Sequence, residues 1–268
     1  MDSKLTKTLK AFLIIMSFLL VNILIDALTG AIAPVSIMNL VENPSGNPMD
    51  YMVYGLLAGQ LVKGVFLYFF IRKRKKTINE KYQIAYIKNE RVKKPIKFIG
   101  IGLGTVGFGL ILTNLTMKIL EGTQILENAL KLMENAFSSQ GALEGVITLL
   151  VVVIGAPLVE ELLFRGVLFE ELNRIVSEKA TIILTALIFG LYHFNIIQSP
   201  NTFIMGLVLA YVYYKTKSIK APIIIHATNN LLATMPFIDK GFTPVGIAIY
   251  IELLAIGIFS LKTLRQNA

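Results

Sequence analysis

The 268-residue chain is 54% hydrophobic and only 16% charged, with a mean hydropathy of +0.66 and a formal net charge of +9. Ordinary soluble domains carry about a quarter charged residues, and a soluble protein this apolar could not cover its own core, so the composition excludes a soluble globular domain. The absence of cysteine excludes disulfides and thiolate ligands and leaves His and carboxylates for catalysis or metal binding.

A membrane-spanning helix needs about 20 mostly apolar residues, and such stretches recur along the chain. Spans are expected near 11–32, 51–71, 97–117, 144–169, 180–197, 201–215, 219–235 and 245–261. The expected architecture is an all-α, polytopic membrane protein, a bundle of about eight transmembrane helices. The first apolar stretch, from Ala11, is longer than a signal-peptide h-region and lacks a small-residue cleavage site, so it reads as a retained first span. No repeat or low-complexity linker divides the chain, which reads as one transmembrane domain over 1–268.

Three features lie outside any catalytic pattern. The run Arg72-Lys73-Arg74-Lys75-Lys76 reads as a topology anchor, with binding of anionic lipid or nucleic acid as the alternative. The third span carries Gly100, Gly102, Gly104, Gly107 and Gly109; this spacing permits close helix packing, and a hinge or gate is the alternative. Within 122–140, Leu126, Leu130, Met133 and Phe137 fall on one helical stripe with Ile125 and Leu132 beside it. That stripe suits either an amphipathic helix on the outer surface or a connector packed on the bundle.

Charge at bilayer depth is costly, so each ionisable residue in a span is a functional candidate. These are Asp26, Lys63, Glu160, Glu161, Arg165, His193, His226 and Glu252, and the two histidines are the only two in the chain. Lys63 and Glu252 lie at similar depth, about 12–14 Å from the inner surface by helical rise, and are expected to pair between the second and eighth spans.

The fourth span contains Pro157, Glu160, Glu161 and Arg165. Adjacent residues on a helix point about 100° apart, so the two glutamates are expected to serve different faces. Glu161 and Arg165, four apart, can neutralise each other. Glu160 is then without a partner on its own helix, and a desolvated carboxylate can act as a general base. Pro157 frees a carbonyl one turn back. Phe189 and His193 share a face of the fifth span, and His226 and Asn230 share a face of the seventh. Glu160, His193 and His226 are expected within about 10 Å of the midplane by helical rise, which suggests one convergent site. On chemistry alone, a membrane enzyme, a proton- or ion-coupled transporter and simple interhelical contacts all remain open.

The ordered trio Glu160-Glu161-x-x-x-Arg165, Phe189-x-x-x-His193 and His226-x-x-x-Asn230 resembles the three motifs of the CAAX protease and bacteriocin-processing family. These are intramembrane proteases related to the type II CAAX prenyl endopeptidases, also called the Abi family. The resemblance covers roughly 140–235, the expected catalytic core, and departs from the family at no motif position. It implies that Glu160 activates a water, that Glu161 and Arg165 fix its geometry, and that His193 orients the water or shuttles a proton. It further implies that His226 and Asn230 donate hydrogen bonds to the tetrahedral oxyanion.

His193, His226 and Glu160 would also make a three-ligand zinc set with an open water position. The H-E-x-x-H helix of zincins is missing, and no carboxylate can be assigned from sequence behind either ring. Metal-independent chemistry is therefore expected, with zinc the alternative. The resemblance implies a peptide or lipidated-protein substrate: a prenylated CAAX tail, a peptide leader or a bacteriocin-related chain. A non-catalytic membrane scaffold or immunity protein is the alternative on the same resemblance. Partners are the bilayer and the substrate, without nucleic acid. The lack of targeting elements and the Ile/Lys-rich composition point to a prokaryotic plasma membrane.

With the N-terminus inside, 21 of the 26 basic residues fall in inner segments, and only Lys118, Lys131 and Lys240 in outer ones. This asymmetry predicts that both termini are cytoplasmic. Single cysteines at positions 40 and 140, introduced into a chain that has none, should react with an impermeant maleimide from the outside. Labelling solely from the cytoplasmic side would overturn the topology.

Overall fold

The computed structural model describes residues 4–41, 46–77, 95–137, 141–235 and 237–265, with backbone alone at 4, 74–77, 135–137 and 265. Its regular elements are helical throughout the described residues. Helix α1 (Lys4–Met38) is followed by a short turn of 3-10 helix (Pro48–Tyr51), α2 (Met52–Thr77), α3 (Ile96–Ile119) and α4 (Gln124–Phe137). A continuous rod then runs through α5 (Ala142–Leu150), a π-helical turn (Val151–Gly155), α6 (Ala156–Leu163), a second π-helical turn (Phe164–Leu168) and α7 (Phe169–Asn173). Helices α8 (Glu178–Tyr192), α9 (Gln198–Thr216), α10 (Lys220–Ala233) and α11 (Pro244–Arg265) complete the chain.

The protein is thus an all-α, multi-pass membrane protein. Among the described residues, five helical stretches are long and apolar enough to cross a bilayer: Leu5–Met38, Pro48–Lys73, Ile96–Ile119, Ala142–Asn173 and Pro244–Leu264. The expected spans at 180–197, 201–215 and 219–235 are present as α8, α9 and α10 but are not among these five. Helix α10 has 14 residues, about 21 Å at 1.5 Å per residue against a hydrocarbon core of about 30 Å. Large apolar side chains on α1, α2 and α11, among them Leu20, Leu28, Phe69, Ile251 and Phe259, are exposed. Such a surface is stable against hydrocarbon and not against water.

Inside, Phe164, Val167, Leu168, Phe189, Leu209 and Ile225 form the centre of one apolar cluster. Side chains of α1, α2 and α3 such as Phe18, Leu67 and Ile101 join it. Helix α3 packs against α9, α10 and α11. Its glycines serve close approach: a Cβ on Gly104 would strike the backbone of Gly257 on α11, and one on Gly257 would strike Gly104. A second crossing is at Gly102, where a Cβ would lie 2.8 Å from the Ile225 carbonyl oxygen of α10. Near the C-terminal end of α3 and the N-terminal end of α11, Asp239 accepts hydrogen bonds from Asn114, the Gly241 N–H and the Tyr250 hydroxyl.

One expectation changes, and another falls largely outside the described residues. On α4 the protein-facing stripe is Leu126, Ala129 and Met133, while Ile125, Leu130 and Leu132 point outward; the Phe137 side chain lies outside the described residues. The basic stretch is described only at Arg72 and Lys73, and the side chains of 74–77 and all of 78–94 lie outside the described residues.

The expected Lys63–Glu252 pair does not form. Lys63, 5% exposed, meets Asp26 of α1 at 2.6 Å from Nζ to Oδ1, and Glu252 is exposed. Similar depth does not make two helices neighbours: α2 packs on α1, whereas α11 packs on α3. Removing one partner of a buried ion pair strands the other, at a cost of about 3–5 kcal/mol when both are fully enclosed. Asp26 keeps 41% side-chain exposure, so solvent screening lessens the loss. Asp26→Leu should lower the melting temperature by several degrees, and Asp26→Leu with Lys63→Met should recover most of it. An unchanged single variant in a thermal melt would show that Lys63 does not need this partner.

Candidate active site

The rod containing both glutamates is helical but not uniformly α-helical. Its first π turn is closed by the Ala156 N–H donating to the Val151 carbonyl, five residues back. In that register the next donor would be residue 157, and proline has no N–H. The Val152 carbonyl is left open by its own helix, and the Asn230 side-chain amide donates to it at 2.9 Å. The carbonyl expected to be freed by Pro157 therefore becomes an anchor for a motif residue from α10.

Glu161 and Arg165 have no exposed surface. Arg165 Nη1 donates to Glu161 Oε1 at 3.1 Å, as their spacing predicts, and Nη2 donates to the Gly206 carbonyl of α9 at 3.0 Å. The guanidinium also lies 5.0 Å from the Phe189 ring centroid. The same Glu161 oxygen faces His226 Nδ1 at 3.0 Å. A carboxylate only accepts, so His226 holds its proton on Nδ1.

Glu160 is different. Its Oε2 is buried without a hydrogen-bond partner among the described residues, as Glu161 Oε2 also is, but Glu160 lines the cavity described below and has His226 Nε2 beside it at 3.9 Å. The two glutamates were expected to serve separate faces. One imidazole between them reaches both, since its two nitrogens span the angular gap between neighbouring helix positions. His226 in its neutral form therefore offers Glu160 a lone pair, and offers an N–H only after taking a second proton.

His193 lies just past the end of α8 rather than within a span. Its Nδ1 is 2.8 Å from the Phe189 carbonyl, one of the carbonyls that a helix C-terminus leaves without an intrahelical donor. The chain then turns sharply, with Phe194 at φ 47°. A carbonyl also only accepts, so His193 likewise carries Nδ1–H and presents Nε2. Between the two histidines stands Phe189, fully buried and edge-on to both rings at centroid distances of 5.0 and 5.8 Å.

A cavity of about 660 Å³ brings Glu160, His193, His226 and Asn230 to one wall system, together with Gln60, Met133, Asn201 and Asn229. Glu161 and Arg165 are not in its lining; they stand behind it. Gln60, Asn201 and Asn229 carry no charge at bilayer depth, so nothing in the sequence marked them. Apart from the two histidines and Glu160, the lining holds no ionisable residue among the described residues, which suits a neutral ligand, and these groups can transfer protons and donate hydrogen bonds.

Both histidines have an acceptor behind Nδ1, a pattern shared by metal-binding histidines, so the expectation that neither has such a partner fails. Even so, no three His, Cys, Asp or Glu side chains among the described residues are grouped to hold a metal ion. Catalytic zinc typically takes three strong protein ligands.

Residues 142–232 match the family model described as type II CAAX prenyl endopeptidase Rce1-like. The chain is also 34% identical over 151 residues to the membrane-embedded CAAX protease MroQ of Staphylococcus aureus (strain USA300), covering 52% of this chain and 58% of that protein. No solved structure matches. The three motifs fall within the matched segment, and the resemblance to the CAAX protease and bacteriocin-processing family is shown by these two matches.

The two adjacent glutamates should differ sharply in what they do for stability. Glu161→Gln leaves Arg165 buried without its countercharge, an event that typically costs about 3–5 kcal/mol. Its melting temperature should fall by several degrees, whereas Glu160→Gln, which removes a carboxylate with an unpartnered oxygen, should melt within about a degree of wild type. Equal losses in thermal melts would contradict the distinct environments of the two side chains.

Proposed function

We propose that the chain is an intramembrane endopeptidase that hydrolyses a peptide bond held in the 660 Å³ cavity. The observation that carries this reading is a buried, unpartnered carboxylate oxygen on Glu160 beside an imidazole nitrogen whose ring is fixed from behind. A cavity-lining carboxylate oxygen without a hydrogen-bond partner is free to accept one from a water and to take its proton. Glu160 takes that proton as the water oxygen attacks the scissile carbonyl. His193, with Nδ1 engaged by the Phe189 carbonyl, receives a hydrogen bond from the same water at Nε2 and aims it.

Charge develops on the former carbonyl oxygen as the tetrahedral intermediate forms. One Asn230 amide hydrogen is used on Val152, and the second faces the cavity as a donor. His226 Nε2 becomes a further donor once it holds a proton, and Glu160, 3.9 Å away, supplies it. Collapse of the intermediate breaks the C–N bond, and the proton leaves on the amine. Donors oriented before the reaction are worth far more here than in water, about 10²–10³ in rate for a single one. Glu161 and Arg165 act from behind by holding His226.

We read this chemistry as metal-independent, which the sparse donor set supports. The matches to CAAX-type proteases support a peptide or lipidated-protein substrate; in this reading it is a CAAX-type tail, a peptide leader or a bacteriocin-related chain, presented from a prokaryotic plasma membrane in which both termini are cytoplasmic. The chain is one transmembrane domain in this reading, with the catalytic core at 140–235.

The test uses purified protein in lipid nanodiscs and two internally quenched probes, a prenylated CAAX-tail peptide and an unlipidated leader peptide. Wild type should cleave at least one, Glu160→Gln should lose at least 10³-fold in kcat while remaining folded, and prolonged chelation should leave activity intact. Near-normal turnover by Glu160→Gln would remove Glu160 as the base, and activity lost on chelation and restored by zinc would replace the mechanism.

A further inference from the structure

Behind Asn230 stand two residues that none of the three motifs specifies, Asn229 and Thr105, and Thr105 also lies outside the matched segment 142–232. We propose that Thr105 and Asn229 are positioning residues for Asn230, joined with it and the Val152 carbonyl in a one-way hydrogen-bond chain that aims the remaining Asn230 N–H into the cavity. This rests on the oxyanion-donor reading of Asn230.

The direction of the chain is set at one end. The Val152 carbonyl can only accept, so the Asn230 atom 2.9 Å from it is the amide nitrogen and Asn230 Oδ1 faces the other way. That oxygen accepts from Asn229 Nδ2 at 3.4 Å. Asn229 Oδ1 in turn accepts from the Thr105 hydroxyl at 3.1 Å. Turning either amide over would set oxygen against oxygen, so each link fixes the next. The Thr105 proton is shared with the Gly102 carbonyl at 2.7 Å on its own helix.

Burial makes the chain costly to break. Thr105 is 7% and Asn229 5% exposed, so leaving a hydroxyl or amide unpaired there is costly. The geometry depends on α3 lying almost on α10, which Gly102 permits by its missing Cβ. Successive donors also polarise one another, which strengthens the last N–H in the series. The far end of α10 is thus held from α3 on one side and from the π turn of the rod on the other.

In the nanodisc assay with the probe that wild type cleaves, Thr105→Val removes the hydroxyl at nearly constant shape. It should lower kcat about 10- to 100-fold, the scale of a small misplacement of a catalytic group, with KM and melting temperature close to wild type. Thr105→Ser, which keeps the hydroxyl, should restore kcat. Asn229→Leu provides a second route should the valine variant fold poorly, with the same loss in kcat expected. Wild-type kcat in Thr105→Val and Asn229→Leu while Asn230→Ala is inactive would overturn this inference and leave the oxyanion reading standing. Equal losses in the valine and serine variants would overturn it by assigning Thr105 to packing. Full activity in Asn230→Ala would overturn the oxyanion reading and this inference together, as would a wild type that cleaves neither probe.

Discussion

Arg165 is a charged side chain with no exposed surface in a protein whose surroundings are largely hydrocarbon. It is tolerable only because Glu161 lies 3.1 Å away and the Gly206 carbonyl takes a second N–H. Those two contacts tie the glutamate rod to α9, and the spare valence of Glu161 ties both to His226 on α10. Three helices are thus held by one requirement, that a buried charge be matched and hydrogen-bonded. The imidazole gains a fixed tautomer from the same contact, so its orientation depends on an ion pair that never touches the cavity.

A second constraint comes from proline. An uninterrupted α-helix would satisfy its own carbonyls and offer nothing to a neighbour. Pro157 beside a π turn leaves the Val152 carbonyl without an intrahelical donor, and an amide from α10 completes it. Irregular backbone at membrane depth is viable only where protein supplies the missing bonds. The irregular turn and the polar face of α10 therefore require each other, and the cavity forms where they meet.

Local periodicity made part of this arrangement readable. The Glu161–Arg165 pair follows from four-residue spacing, and the separate environment of Glu160 follows from the pair being occupied. His226 between both glutamates was not readable, since it depends on how α10 approaches the rod. Lys63 was assigned the wrong partner because depth along a helix says nothing about which helices adjoin. His193 was placed inside a span because its flanking residues are apolar; in fact α8 ends at Tyr192, and the histidine caps a carbonyl there. Thr105 gave no signal, since an uncharged threonine in a glycine-rich helix looks like packing until its acceptor on another helix is known.

Phe189 illustrates how much can hang on a residue with no polar atom in its side chain. Its ring packs against Phe164 at 4.8 Å, stands edge-on to His193 and His226, and lies beneath the Arg165 guanidinium. Its backbone carbonyl meanwhile receives the His193 N–H. Groups in mutual contact do not respond independently to substitution. Any two changes among His193, His226 and Arg165 disturb the same aromatic wedge, so their effects combine with a coupling term instead of adding. Energies assigned one residue at a time would therefore count the displacement of a single ring more than once.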